Sequence, residues 1–454
     1  MKKIVFINPW IYDFTAYDLW AKPVGLLYLA GITDKFVRNV KLYYIDTLDR
    51  HSKDIREKIK IPKPRADGRG KFHREIIEKP EIYKKIPRNY ARYGFTEEIF
   101  REKIERIGEA ELYMIGSTMT YWYPGVHRAI EIIKDKYPKS EVWLGGIYPT
   151  LLKSFAEKES GADFVGAGRF ENHLLPLLKE RGFEVKEFPV FNNIGELPYP
   201  LYSLENTHPY LPFMTSFGCP FRCPYCASNI LSGRFFQKQV DSLVEELSFY
   251  KEKYNVEHMV FYDDALLVNK KKRLLPLLRR LREKGLYFSF HTPNGIHIKE
   301  LDYDTARELK DSNFKTLRLS LETGVENLVD ELAPKLELDD YEKAIFNLEK
   351  AGFEKKTMET YILFGHPEQK YEDIEKTIRF IAKYKVPVKF SYFSPIPQTT
   401  DYQKLIDRGI LKESDDPLIQ NKIAFVYLKS NLNYDEIHEL KTMANRLNES
   451  VKNR

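Results

Sequence analysis

The sequence predicts an α/β protein: an N-terminal Rossmann-like doubly wound parallel sheet, then a partial (β/α)6 barrel, then a short helical C-terminal segment. Three observations predict it. Short β-branched and aromatic runs alternate with amphipathic stretches, the pattern of parallel β/α units. The alternation breaks in a Pro-rich polar stretch and then restarts. At 454 residues the chain is also too long for one ordinary core, so two or three domains are expected.

Residues 3–8 read as the first strand, a buried run that ends in Asn8-Pro9. A helix follows, opened by Pro23-Val24-Gly25 and apolar through Ile32, and residues 40–45 give the second strand. After an insertion over 50–107, residues 111–116 are a strand, 126–136 an amphipathic helix, 142–144 a strand stopped by Gly145-Gly146, and 163–165 one more before Gly166. A doubly wound sheet of this kind places its ligands beyond the carboxyl ends of its strands. The first domain is expected over 1–195. Pro198, Pro200, Pro209 and Pro212 then make 196–212 a linker or extended wrap, with the boundary near Leu201.

The second domain is expected over 213–405, with strands at 213–217, 258–262, 287–291, 316–321, 359–364 and 388–393. Six further β/α units are too many to append to the first sheet and suggest an open or complete barrel with its chemistry at the strand C-termini. Residues 406–454 form a helical extension, of which 434–451 read as one amphipathic helix.

The bulk composition is that of a soluble globular protein, with 30 Tyr and 29 Phe, few Cys and Met, and many Lys, Glu and Arg, a balance shared with proteins from hot environments. No apolar run reaches the roughly 18 to 20 residues that span a bilayer, and the chain opens directly on a strand, so no membrane partner is expected and a cytoplasmic location is. The net charge is +6. It is concentrated: residues 50–107 hold 18 Lys and Arg against 10 Asp and Glu.

All three cysteines fall in Ser216-Phe217-Gly218-Cys219-Pro220-Phe221-Arg222-Cys223-Pro224-Tyr225-Cys226. An odd number packed this closely argues against a disulfide framework and for a metal centre in a reducing compartment. Soft thiolates on one loop converge on one centre. A cubane has four irons, so three thiolates leave one iron open to chelate a small molecule. The alternative is zinc held by the three cysteines alone or with His208, although zinc sites usually use a second Cys or His pair that this chain does not offer.

The CxxxCxxC spacing resembles that of the radical S-adenosylmethionine (SAM) superfamily, and the likeness runs over about residues 205–400. The resemblance implies a [4Fe–4S] cluster on Cys219, Cys223 and Cys226, SAM on the open iron, and an external reductant such as flavodoxin or ferredoxin. It further implies roles around SAM: Tyr225 with its backbone toward adenine, Asp263 or Asp264 after the second barrel strand at the methionyl amine, Ser320 and Glu322 at the ribose and amino acid moiety, and Gly365 toward adenine. Each has a structural alternative, namely packing for Tyr225, a helix N-cap for Asp264, and a salt bridge to Arg318 for the Ser320/Glu322 pair. The segment Gly365-His366-Pro367-Glu368 departs from the family's Gly-x-Pro-Gly-Glu. Pro395, in Ser394-Pro395-Ile396-Pro397, and His291, in His291-Thr292-Pro293-Asn294-Gly295, occupy rim loops similar to those of cobalamin-type members. His291 is equally suited to a substrate contact or to a satisfied core position.

A Rossmann-like domain before such a barrel resembles the cobalamin-binding branch of that superfamily. Gly25, Gly145-Gly146 and Gly166-Ala167-Gly168 stand where that branch carries its glycine-rich segments, with Ser117, Thr118, Thr120 and Trp122 as candidate walls. The branch's Asp-x-His-x-x-Gly loop has no counterpart after the first strand; Asp49-Arg50-His51 follows the second and lacks the Gly. Cobalamin is therefore admitted rather than required. The expected function is a radical SAM enzyme acting on an unactivated carbon of an unidentified small molecule, with cobalamin-dependent methyl transfer as the leading reaction. Two alternatives are an RNA-modifying enzyme on the same barrel and a zinc-stabilised binding module. The basic insertion, with Arg65, Arg69, Lys71, Arg74, Lys84, Lys85 and Arg88 beside Tyr90 and Tyr93, suits an anionic partner, but its interleaved carboxylates favour a solvated or partner-facing arm.

Overall fold

The computed structural model describes residues 1–332 and 337–452. The chain separates into two compact units, Met1–Pro209 with Asp416–Ile419, and Tyr210–Asp415 with the chain from Gln420 onward.

In the first unit, strands β1 (Lys2–Asn8), β2 (Val40–Asp46), β3 (Leu112–Ile115), β4 (Glu141–Leu144) and β5 (Phe164–Val165) form a parallel sheet in the order β2-β1-β3-β4-β5. Alternate residues feed two separate cores. Val5, Ile7, Tyr113, Ile115, Val142 and Leu144 face one, whereas Ile4, Phe6, Leu112, Met114 and Trp143 face the other. Burial of both faces is what makes these strands read as continuous apolar runs, and it confirms the doubly wound reading. Helix α1 (Val24–Phe36) covers one face. At Gly31 a Cβ would collide with the Tyr199 carbonyl, so glycine lets residues 198–201 lie against the helix, and Leu201 N–H donates to Leu27 O at 3.0 Å. Residues 198–201 therefore lie against α1 within the first unit.

The basic insertion is folded rather than solvated. Arg74–Ile76 and Ala91–Tyr93 build a small antiparallel sheet with Ile11–Asp13, and the rings of Phe14, Tyr83 and Tyr90 pack at centroid distances of 4.8 to 5.4 Å. Its aromatic residues supply the core that its charges obscured. The Tyr83 hydroxyl donates to Leu418 O at 2.7 Å, which secures the 416–419 segment within this unit.

In the second unit, β6 (Leu211–Phe213), β7 (His258–Phe261), β8 (Ser289–His291), β9 (Phe314–Glu322), β10 (Met358–Phe364) and β11 (Val388–Tyr392) pair in chain order, all parallel. A seventh short strand, Ile296–His297, pairs parallel with β9 off this path, and the six strands are the partial barrel that the sequence predicts. Phe213, Phe261, Phe290 and Phe314 pack ring on ring across its first four strands, with centroids 4.5 to 5.4 Å apart. One strand differs from expectation: residues 213–217 are not a single strand. β6 ends at Phe213, and Ser216–Phe217 turns away to pair antiparallel with Phe236–Gln237. The final helix, Tyr434–Lys452, closes the unit. No helix among the described residues is long and apolar enough to cross a membrane.

Candidate active site

The end of β7 positions the base of the cysteine loop. Asp263 is buried, and its carboxylate accepts from Thr215 N–H at 3.1 Å, from the Thr215 hydroxyl at 2.6 Å and from the Ser216 hydroxyl. Arg273 Nη1 pairs with it at 3.5 Å, while Arg273 Nη2 donates to Leu266 O at 2.8 Å. A buried carboxylate is tolerated only when its lone pairs are filled in this way. Asp263 is thus engaged by the backbone and hydroxyls two to three residues before Gly218. Gly218 has φ +78°, and a Cβ there would press on Ser232 at 3.1 Å, so a glycine is needed to swing the chain into Cys219.

Cys219, Cys223 and Cys226 form no disulfide and are partly exposed, and a turn with Cys226 N–H on Cys223 O at 3.1 Å joins the last two. The Sγ of Cys226 lies 3.3 Å from Ser228 Oγ and accepts Ser228 N–H at 3.5 Å. Among the described residues no three His, Cys, Asp or Glu side chains gather around a single ion. A cubane requires a different layout, with each thiolate on its own iron, and a donor set of three thiols on one loop fits it. The ring of His208, the upstream zinc candidate, is bonded to Tyr202 O at 2.8 Å.

Tyr225 is drawn together with Cys223, Cys226 and Glu322: burial, then the nearby charges of that carboxylate and the two thiols, push its phenol well above the ordinary range. Glu322 sits at φ +65°, and the β9–β10 register slips between Ser320 and Glu322. Simple alternation therefore does not carry Ser320 and Glu322 to one side; a bulge re-aims Glu322. The expected alternative partner, Arg318, is instead taken by Glu359 at 2.8 Å and by the Tyr361 hydroxyl at 2.5 Å. Ser320 is buried beneath Gly295, where a Cβ would fall on its hydroxyl.

Asp264 differs from Asp263 in burial. It is exposed, yet desolvation by its surroundings raises its carboxyl above the usual range; a hydrogen bond with Ser228 works against that rise, while the charge of Asp263 adds to it. Gly365 has φ +77°, and a Cβ would meet Val426 at 2.6 Å. The residue after it, His366, is buried with Nε2 3.1 Å from Asp401 Oδ2, and Asp401 N–H donates to Pro224 O between the second and third cysteines at 3.0 Å. This brace runs from the β10 loop to the cysteine loop. Pro395 is buried, next to Ser394, whose hydroxyl donates to Gln420 O at 2.6 Å.

His291 is a core residue rather than a rim contact: its ring nitrogens lie 2.9 Å from Thr316 Oγ1 and 3.0 Å from His258 Nδ1. Sequence reasoning missed Thr215, Arg273, Ser228, Asp401 and His297, whose ring stacks on Phe221 of the cysteine loop at 4.1 Å. Their partners lie far off in sequence. Only Ser228, two positions past the third cysteine, carried a local signal.

In the first unit the carboxyl ends of β3, β4 and β5 lead into Ser117-Thr118, Gly145-Gly146 and Gly166-Ala167-Gly168. Gly146 has φ +101° and abuts the Ser117 backbone, Gly168 has φ +75° with open space where a Cβ would stand, and Ser117 Oγ donates to Gly145 O at 2.9 Å. Such a bare backbone edge fits a flat ligand. The Asp49-Arg50-His51 segment is a structural knot, with Arg50 buried against Asp18 at 2.9 Å and His51 N–H on Asp49 Oδ1 at 2.9 Å. Trp122 Nε1 donates to Asp13 at 2.8 Å, and Thr120 is buried. Tyr90 and Tyr93 of the insertion are buried as well and present no stacking surface.

Residues 213–381 match the radical SAM superfamily. The chain is 26% identical over 232 residues to an uncharacterized methyltransferase of Pyrococcus horikoshii, a match that spans 49% of each chain, about half the length of that relative. It is 26% identical over 348 residues to the bacteriochlorophyllide d C-8(2)-methyltransferase of Chlorobaculum tepidum, covering 70% of this chain and 74% of that one. In fold it resembles the radical SAM methyltransferase TsrM of Kitasatospora setae, solved with cobalamin and a [4Fe–4S] cluster, at TM-score 0.67 and 12% identity over 98% of this chain and 91% of that one. It also resembles the cobalamin-dependent radical SAM enzyme OxsB, at TM-score 0.63 and 10% identity over 97% and 66%.

Proposed function

We propose that this chain, which carries a radical SAM domain at residues 213–381, is a cobalamin-dependent methyltransferase acting on an unactivated carbon of a small molecule. The observation that carries the reading is the position of the three thiols, on one loop directly after the first of six parallel strands paired in chain order. Reductive cleavage of SAM is the chemistry a [4Fe–4S] cluster supplies here when bound, and methyl carriage is what cobalamin supplies.

Cys219, Cys223 and Cys226 hold the cluster in this reading. Tyr225 presents its backbone to adenine, Asp264 accepts the methionyl amine, Ser320 and Glu322 serve the ribose and amino acid moiety, Gly365 faces adenine, and Pro395 stands in the rim loop of the cofactor site. Asp263 acts at one remove, since its lone pairs are spent on Thr215, Ser216 and Arg273, which hold the loop in place. Ser117, Gly145-Gly146 and Gly166-Ala167-Gly168 form the backbone edge for the corrin, without an Asp-x-His-x-x-Gly loop. A flavodoxin- or ferredoxin-type donor provides the electron.

Anaerobic reconstitution tests this. The expected result is about four irons and four sulfides per chain, a corrin band in the visible spectrum after loading with hydroxocobalamin, and release of S-adenosylhomocysteine and 5′-deoxyadenosine from SAM under reduction. Zinc without sulfide, or an iron–sulfur chain that yields neither product, would overturn it.

A further inference from the structure

We infer that Ser228 sets the reduction potential of the cluster through its hydrogen bond to Cys226, and that Asp264 acts on that potential through Ser228. This rests on the radical SAM reading and deepens it. As a thiol, Cys226 donates to Ser228 Oγ at 3.3 Å and accepts Ser228 N–H at 3.5 Å; as a cluster thiolate it has no proton to give, and the hydroxyl and N–H of Ser228 are then its two donors. Hydrogen bonds to cluster sulfurs favour the more electron-rich state, because the added electron raises the negative charge on sulfur. The couple is one electron onto the oxidised cluster, supplied by the external donor.

With Cys226 as a thiolate, the single proton of the Ser228 hydroxyl has two acceptors in reach, Cys226 Sγ and the Asp264 carboxylate. An ionised carboxylate can only accept, so it competes with the sulfur for that proton. An amide at position 264 can donate to Ser228 Oγ instead, which releases the proton to Cys226. The two substitutions therefore shift the couple in opposite directions. Ser228→Ala removes a donor from the sulfur and lowers the midpoint, whereas Asp264→Asn strengthens that bond and raises it. If Asp264 works through Ser228, its effect disappears once the hydroxyl is gone; a bare charge effect would persist.

The experiment is a dithionite titration of the reconstituted full-length chain, followed by electron paramagnetic resonance. It compares wild type, S228A, S228T, D264N and S228A/D264N at matched iron and sulfide content. The expected results are a more negative midpoint for S228A, a near wild-type value for S228T, a more positive value for D264N, and no D264N shift in the S228A background. S228V, isosteric with S228T but lacking the hydroxyl, makes the same comparison if S228A fails to hold iron. An intact cluster with an unshifted midpoint in S228A or S228V overturns the role of Ser228, and additive shifts overturn the path from Asp264. A wild-type chain that assembles no cluster overturns the radical SAM reading itself.

Discussion

Gly295 and Gly365 each exclude a methyl group for a different reason, and the difference predicts different losses. At Gly295 the three nearest atoms a Cβ would meet all belong to Ser320, its hydroxyl first. Gly295→Ala should therefore weaken SAM binding by about tenfold, the worth of one good hydrogen bond, while iron content stays unchanged in a metal assay. At Gly365 the backbone itself is left-handed, at φ +77°, and Val426 blocks the space. Gly365→Ala should cost about 1–3 kcal/mol of stability and lower the melting temperature.

Asp46 belongs to the same scale. Burial first, then the charges of Asp49 and Glu205 against that of Lys22, raise its carboxyl to about 7, from an ordinary value of 3.8. A folded-state value above the unfolded one means that the folded chain holds the extra proton between those limits, so this group's contribution to stability falls as pH rises from about 4 to about 7. Asp46→Asn removes the slope, and the melting temperature of the variant relative to wild type should climb between pH 5 and pH 8. The cysteine spacing was legible from sequence because its geometry is local. The division of labour between Asp263 and Asp264 was not, because it depends on Arg273 ten residues on and on which carboxylate the strand turns inward.

Elements were legible where their periodicity was strong: β1, β2 and the barrel strands β7, β10 and β11 fall within two residues of expectation at each end. They were not legible where a local pairing overrode an apolar run. Residues 213–217 read as one strand, yet the chain breaks after Phe213 because Thr215 and Ser216 are captured by Asp263. The bulge between Ser320 and Glu322 is likewise invisible to a period of two. At this scale the junction of β7 with the cysteine loop makes a differential prediction. Asp263→Asn leaves Arg273 with a buried, uncompensated charge and should cost about 3–5 kcal/mol, with a fall in iron retained after gel filtration. Asp264→Asn, at a position open to solvent, should leave the melting temperature within a degree or two and show its effect in SAM binding. Equal destabilisation by the two would contradict the assignment of Asp263 to the loop and Asp264 to the ligand.

For the whole molecule, the charge of the insertion is the feature whose sequence reading and structure diverge most. Its excess of positive charge suggested either an anionic partner or a solvated arm, because a linear sequence shows how many charges there are but not how they pair. In the fold many are spent internally: Arg50 on Asp18, Lys58 on Glu102, Arg69 on Asp67, Arg92 on Glu75 and Glu97, and Lys103 on Asp54. The aromatic residues that would have stacked on bases are buried under them. A protein that neutralises several phosphates loses affinity steeply with salt, about 0.9 in log–log slope per contact on duplex DNA and about 0.7 on single strands. With Arg65, Lys71, Arg74, Lys84 and Lys85 scattered on the exposed surface and no stacking platform beneath them, a filter-binding titration of structured RNA between 50 and 200 mM salt should give weak retention and a slope shallower than about −2. Tight retention with a slope several units steeper would show that these side chains act together on one polyanion, and would move the substrate from a small molecule to a nucleic acid.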